Sequence, residues 1–491
     1  MSKRNIWLLL LVVLSACSVE TSNAQDGLKE AQELLKKQQW AKAQEAFDTL
    51  LETHPDNFDC RLGMAKAAYF AGDPGTGGFN AARAWKLKPK SAEAAEFVGR
   101  CFLAQGHNKR NAQGDPTGLY EQAAEAFAEA TERNKNSADL WREYGSCLYW
   151  LGKNKEAAVA YESAFKADPK NADSAYWSGH FFHLTKQIKK AAEMFTASLC
   201  SRIPDSAVQR SVNGLWRCYG DDKNWDELLN NVAVWIKAKP KSETALWWQG
   251  NFLNYKADHK NAFNAWKKLE KVSTRLRPEA IHFQGVAKNA MGEQDEAIAL
   301  FVKAASMQYG WTDQKHPGLS LHGIAGSLYG QRKFAEACKI GESKALPALR
   351  GNRRVSLQTD LGLFYRDFGN ALEARSKNKE AQAAYVKSRD HYKGAVEGMV
   401  KYKKFTASWK AQVQNDFALM YQYHFDDTEK ALENYKIALG YDSTNTDACL
   451  NYGRVMLRRG KFAEALRVAQ QGQSRQDLSA LISRIKSAMK K

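Results

Sequence analysis

His180 and His183 stand three residues apart, so a helix would carry both imidazoles on one face, within reach of a shared metal ion. The sequence shows no third ligand at a matching spacing. The pair therefore reads as two histidines bound to no metal. Other chemistry-bearing residue types are present without the order that chemistry needs. There is no H-E-x-x-H, no G-x-S-x-G and no complete Walker loop. The run Gly72 to Gly78 is glycine-rich but lacks the Lys-Ser/Thr that closes a phosphate-binding loop. Beyond Cys17, the cysteines Cys60, Cys101, Cys147, Cys200, Cys218, Cys338 and Cys449 are scattered, with no C-x-x-C pair, and read as small apolar packing residues. Their odd number leaves at least one free or paired between chains. Cys200 and Cys218 are the least implausible bridge, because they lie on helices that would be neighbours. No catalytic residue, metal ion or cofactor is expected.

What the sequence does organise is a period. Gly145 and Gly179 are 34 residues apart, and so are Ala157 and Ala191, and Tyr161 and Phe195. Glycine inside a helix costs about 1 kcal/mol relative to alanine. A recurring one must gain something, and here it lets a second helix approach closely. The alanine twelve residues on serves the same crossing, and the aromatic four further on shares its helical face. Pro169 and Pro204 then stop the second helix. Such a period means stacked helix pairs, each burying part of its apolar surface against its neighbours.

This pattern resembles the tetratricopeptide repeat family over most of the chain. Ala31, Leu34, Ala43, Phe47, Leu50 and Pro55 make a first copy. Gly250, Ala262 and Trp266 make another, as do Gly285, Ala297 and Phe301, and Gly453 with Ala465 marks the last. Copies near Gly214, Ala325, Gly362 and Ala418 are degenerate. The resemblance implies an all-α fold, an α-solenoid (right-handed superhelix) of about 11–12 helix-turn-helix repeats over residues 28–474, clearest at 138–171 and 172–205. Residues 475–491 follow as an amphipathic capping helix carrying Leu478, Ile482 and Ile485 on one face. Gly72–Gly78 and Gly106–Gly118 read as surface loops. The Ala/Glu/Lys-rich stretch from Phe368 to Ala381 reads as extended helix.

In that family the first helix of each repeat lines a concave surface. Carried over copy by copy, the resemblance implies a groove of Arg142, Ser146, Tyr149, Tyr176, His180 and His183, then Trp247, Asn251, Asn254, His282 and Asn289. Tyr and Trp offer contact area at low entropy cost, and Asn can hydrogen-bond an extended peptide backbone. Some of these positions would instead pack repeats together. The Lys-Asn-Asn-Lys-Arg clamp of chaperone-binding members is not reproduced.

At the amino terminus Lys3 and Arg4 precede an apolar run from Ile6 to Leu14, the pattern of a signal peptide and too short for a comfortable membrane span. It ends in Leu14-Ser15-Ala16-Cys17, which resembles a bacterial lipobox. The resemblance implies a signal peptide over 1–16, acylation of Cys17 and a tether over 17–27. Ordinary secretion, with cleavage after Ala24, is the alternative.

The chain has 72 Lys plus Arg against 54 Asp plus Glu, net +18, with basic residues clustered late, as at Lys401, Lys403, Lys404 and Lys410. Such a field attracts anionic partners. No nucleic-acid motif accompanies it, and nucleic acid is not the expected partner. Together these readings describe a non-enzymatic scaffold, lipid-anchored in a bacterial cell envelope at the outer membrane or periplasmic face, that binds proteins or peptides, including acidic ones. An accessory lipoprotein for a small anionic or peptide solute is the alternative function, and a soluble secreted or periplasmic protein the alternative location.

Overall fold

Short polar side chains start most of the first helices. Asn57, Ser91, Ser137, Asn171, Ser242 and Asn445 each accept a hydrogen bond from the backbone N–H three residues on. Each such cap contributes about 1 kcal/mol. The computed structural model describes residues 25–202, 205–307, 317–402, 404–472 and 475–490. Cys17 and the signal segment 1–16 lie outside them. Among the described residues every regular element is helical.

The chain divides at Pro240/Lys241 into two compact units. The first holds α1 (25–36), α2 (Trp40–Thr53), α3 (Phe58–Phe70), α4 (Pro74–Leu87), α5 (Ala92–Asn111), α6 (Thr117–Arg133), α7 (Ala138–Trp150), α8 (Asn154–Ala167), α9 (Ala172–Leu184), α10 (Ile188–Cys200), α11 (Asp205–Tyr219) and α12 (Trp225–Ala238). The second holds α13 (Glu243–Tyr255), α14 (His259–Val272), α15 (Arg277–Ala290), α16 (Gln294–Ala305), α17 (Pro317–Gly330), α18 (Phe334–Ile340), α19 (Leu346–Ala348), α20 (Gly351–Glu373), α21 (Asn378–Lys401), α22 (Ala407–His424), α23 (Thr428–Tyr441), α24 (Thr446–Arg458), α25 (Phe462–Ala469) and α26 (Gln476–Ala488). A π-turn, Gly341–Ala345, joins α18 to α19. In each unit consecutive helices pack in pairs, and each pair lies on the next.

One backbone feature counts the pairs. The turn inside every pair contains one residue at positive φ: Gln38, Gly72, Gln113, Gly152, Lys186, Lys223, Ala257, Gly292, Arg332, Ser376, Asp426 and Gly460. That makes twelve pairs, six in each unit, with the short α19 and the terminal α26 left over. This left-handed residue lets the chain reverse tightly. At the turn after α7, the N–H of Lys153 then returns to the Leu148 carbonyl at 2.9 Å.

The pairs are held at the crossings that the period marked. A methyl group built on Gly145 would stand 2.8 Å from the Tyr161 ring, one on Gly285 2.7 Å from the Phe301 ring and one on Gly362 2.8 Å from the Tyr392 ring. Phe195 and Phe301 serve two notches each. Phe195 also blocks a methyl at Gly214, at 2.6 Å, and Phe301 one at Gly323, at 2.7 Å. One buried ring thus joins its own pair to the following one.

Several expectations need correction. Gly72–Gly78 is not a loop: α4 begins at Pro74, capped by Asp73, and a methyl on Gly77 would meet the Cys101 sulfur at 2.9 Å. These glycines serve close helix packing as well as the turn. Of Gly106–Gly118, only 112–116 lie between helices, and Gly106 packs under Tyr120. The helix 25–36 takes in the last residues of the expected tether. Cys200 and Cys218 are not bridged, and all seven described cysteines are free thiols. The stretch from Phe368 to Ala381 falls mostly in the ends of the two long helices α20 and α21. Leu478, Leu481 and Ile485 of α26 are buried against α24 and α25.

Glycine-to-alanine substitution at two helical sites of the second unit is expected to have opposite signs. Gly285→Ala drives a methyl into Phe301 and should destabilise by about 1–3 kcal/mol. Gly326→Ala meets nothing within 4 Å and should stabilise by up to about 1 kcal/mol. Urea denaturation of the two variants checks the pair.

Candidate functional site

In the first unit the aromatic residues of α5, α7 and α9 touch in series. Trp150 lies 5.8 Å from the His107 ring and 4.7 Å from Tyr149. Tyr149 lies 5.5 Å from Phe181, and Phe181 stacks with Trp177 at 6.1 Å. Trp177 meets His180 edge-on at 5.6 Å, and His180 stacks with Tyr176 at 6.3 Å. An arginine closes each end. The Arg110 guanidinium sits 3.8 Å from the Trp150 ring centre, and that of Arg210, on α11, sits 4.2 Å from Tyr176. Arg210 also pairs with Asp173.

This track is partly solvent-facing. Tyr149, Trp150 and Trp177 are 42%, 37% and 36% exposed, and Leu184, at the end of α9, is 49% exposed. Adjacent aromatic doublets produce the effect. In Tyr176-Trp177 one ring faces the core and its neighbour must face away, because successive helical residues point about 100° apart. Exposed aromatic surface at this density marks an interaction site more often than chance packing. Its chemistry is stacking and apolar contact, with guanidinium groups at the margins.

Burial, with Arg217 and His183 adding to it, holds His180 below the usual histidine range, so the track has a neutral imidazole at its centre at neutral pH. His183 reaches the Arg217 carbonyl at 3.4 Å through Nε2. Among the described residues no group of three His, Cys, Asp or Glu side chains is placed to hold a metal ion. Burial pushes the thiols of Cys101, Cys147, Cys218 and Cys338 up to about 12, which leaves them protonated and inert.

The residues expected to line a groove separate into two roles. Tyr149 and His180 join the track, while His183 is held by the Arg217 carbonyl instead. Arg142 pairs with Asp139 at 2.9 Å in the first turn of α7. Tyr176, only 8% exposed, belongs to the interior end of the track. In the second unit Trp247 packs edge-on against Trp248 and Trp266, at 5.0 and 6.5 Å. The amide of Asn251 donates to the Trp247 carbonyl of its own helix at 2.8 Å. Asn254 keeps a buried Oδ1 without a hydrogen-bond partner among the described residues. His282 and Asn289 correct the expectation most clearly. His282 is buried, its Nδ1 3.0 Å from Ser320 Oγ, and Asn289 Oδ1 accepts from Ser327 at 2.8 Å. Both side chains reach the next first helix, α17, His282 buried and Asn289 half-buried.

They belong to a polar ladder that sequence reasoning missed. His322 Nε2 meets Asp360 Oδ2 at 2.6 Å, and Tyr329 donates its hydroxyl to Asp367 Oδ2 at 2.6 Å. All four contacts, from α15 to α17 and from α17 to α20, join residues 38 positions apart. That constant offset was a usable signal. Trp150, Trp177, Arg110 and Arg210 were missed as well, and the doublets Tyr149-Trp150 and Tyr176-Trp177 were the clue to the first two. Further along, Asp416 of α22 accepts from Gln412 at 3.0 Å and from Asn415 at 3.2 Å. Burial pushes its carboxyl up to about 6, against the opposing pull of Arg366.

Models of the tetratricopeptide repeat match residues 28–75 and 117–172, and a second such model matches 423–488. A TPR repeat-containing protein of Dictyostelium discoideum is 26% identical over 136 residues, which is 27% of this chain and 52% of the relative. The Naa15/Naa10 complex bound to HypK contains a chain 13% identical, matched over 95% of this chain and 64% of that one, with a TM-score of 0.36. A monomeric IFIT1 mutant solved with Gppp-AAAA is 14% identical over 72% of this chain and 82% of its own, with a TM-score of 0.40. The chain thus spans about half of the Dictyostelium relative and less than two thirds of the Naa15/Naa10 chain. At these scores the solved structures carry no argument about this protein.

Asp416 yields a pH prediction. Its folded carboxyl binds a proton more tightly than an unfolded one, so the cost of holding its charge is absent below about pH 4 and complete above about pH 6. The melting temperature of Asp416→Asn relative to the natural protein should therefore rise between pH 4 and pH 7.5. A difference that falls over this range would reverse the assignment.

Proposed function

We propose that this protein is an interaction scaffold that holds a protein or peptide partner on the aromatic track of α7 and α9, and that a lipid on Cys17 anchors it in a bacterial cell envelope, at the outer membrane or the periplasmic face. The observation that carries the first part is the linkage of exposed Tyr149, Trp150 and Trp177 through the buried Phe181 ring on a framework of helix pairs. Rigid aromatic side chains give contact area with little entropy to lose, and they tolerate varied partner sequences through apolar contact. The repeat models that match 117–172 cover α6 to α8 and the start of α9, which support much of this surface. Repeats of this kind serve interaction through their surfaces, and the track supplies no nucleophile, acid–base pair or metal site.

The anchoring part rests on the sequence. Lys3, Arg4, the apolar run from Ile6 and Leu14-Ser15-Ala16-Cys17 together form an export and acylation signal. Among the described residues no helix is long and apolar enough to cross a membrane.

Selection of random peptides on the immobilised protein is expected to yield a binding family. The pair Tyr149→Ala and Trp177→Ala should weaken those peptides at least tenfold without a loss of melting temperature. Unchanged affinity in that variant would remove the track from the proposal. In a bacterial host the natural chain should take up labelled palmitate and sediment with membranes, while Cys17→Ser should do neither. Equal labelling of both would place the anchor elsewhere.

A further inference from the structure

A cavity of about 630 Å³ opens in the second unit between α18 with its π-turn, α20 and α21. That size falls within the range of about 300–1,000 Å³ common for small-molecule sites. It exists because the facing side chains are short. Ala335 and Cys338 stand on one wall, Ala383 and Ala384 on the other, and Phe368 and Leu372 form an apolar base. The polar groups gather around Glu342. The π-turn carries this residue, and such turns recur at functional sites because they re-aim a side chain out of helical register.

Glu342 is already satisfied. Its Oε2 accepts from the Tyr365 hydroxyl at 2.6 Å and from Lys387 Nζ at 2.7 Å, and Lys387 also lies 3.3 Å from the Tyr365 oxygen. His391 Nε2 approaches the other oxygen at 3.6 Å. At the rim Lys377 pairs with Glu380 at 3.8 Å. Lys339 lines the cavity, is exposed, and makes no ion pair with a described residue. The balance is an apolar chamber whose two carboxylates are each matched by a lysine, with one cation left over.

We propose that this cavity binds an amphiphilic monocarboxylate, its hydrocarbon part against Phe368, Leu372 and Ala384 and its carboxylate at Lys339 and Lys387. Lys387 has one N–H beyond the two given to Glu342 and Tyr365, and Lys339 supplies the uncompensated charge. A cationic head group would meet Lys339 and Lys387 and be repelled. A neutral alcohol would forgo the ion pair.

Calorimetric titration of the full chain with hexanoate, octanoate and decanoate, all below their micellar concentrations, tests this. Decanoate should bind one to one, with affinity rising about fourfold for each CH₂ added along the series. Decyltrimethylammonium and decanol should bind at least tenfold more weakly. Lys339→Glu should cost decanoate at least tenfold, and Ala383→Trp, which fills the cavity from an exposed helix surface, should abolish binding with the melting temperature retained. Should Ala383→Trp fail to fold, Ala335→Phe blocks the cavity from the opposite wall. No saturable binding of any carboxylate, affinity independent of chain length, equal binding of the cation, or full binding by a folded blocked variant would each overturn the proposal.

Discussion

A buried ring seated in a glycine notch is the contact on which the rest of this structure depends. Phe301 fills the space above Gly285 in its own pair and above Gly323 in the next, and Phe195 does the same for Gly179 and Gly214. Fully burying such a ring contributes about 1.5–3 kcal/mol. The notch also lets the helix backbones come close, so the ring is enclosed on both sides. Because one ring serves two pairs, neighbouring pairs are bound by the same contact that holds each pair together. Surrounding positions must then be small, as at Ala157, Ala191 and Ala297, all fully buried. A chain that devotes its glycines, alanines and aromatics to these crossings has few inward positions left for catalytic groups.

The surfaces left over differ between the units. In the first, aromatic doublets leave Trp150 and Trp177 partly outside, and cation–π contacts at Arg110 and Arg210 bound the exposed track. In the second, the corresponding faces of α15, α17 and α20 are tied together by the hydrogen bonds of His282, Asn289, His322 and Tyr329. Hydrogen bonds to charged groups are worth about 1.5–3 kcal/mol each. Such a ladder fixes the spacing of successive first helices, where the first unit keeps apolar surface available for contact. Apart from this ladder, burial raises the carboxyl of Asp416 against the pull of Arg366 on α20, so holding its charge at neutral pH opposes folding.

The all-α repeat architecture was legible because its marks are local and periodic: Gly145, Ala157 and Tyr161 recur at a fixed distance, and the crossing they make is the same each time. The loop assigned to Gly72–Gly78 failed for the same reason that the period worked. Glycine answers two demands, a left-handed turn and a close approach, and Gly72 meets the first while Gly77 meets the second. The count of about 11–12 repeats was legible from the same period, although eight of the twelve left-handed turn residues are not glycine. In the candidate site, Tyr149 and His180 were named from the family's helical offsets, and both stand among the touching rings. His282 and Asn289 were not, because whether a polar side chain meets solvent or the neighbouring helix depends on the distance between first helices. That distance is set in the second unit by a 38-residue spacing instead of 34. The cavity beside Glu342 depends on a π-turn, which has no sequence signature here.

The claim that ring and glycine act as one unit is tested most directly by a double-mutant cycle on Gly285 and Phe301. Replacing the ring by leucine opens the notch, so the alanine that clashes with Phe301 should become neutral or favourable in the Phe301→Leu background. The predicted result is a coupling of at least about 1 kcal/mol between the two sites, the range found for residues in contact. Additive effects of the two substitutions on denaturation free energy would contradict it.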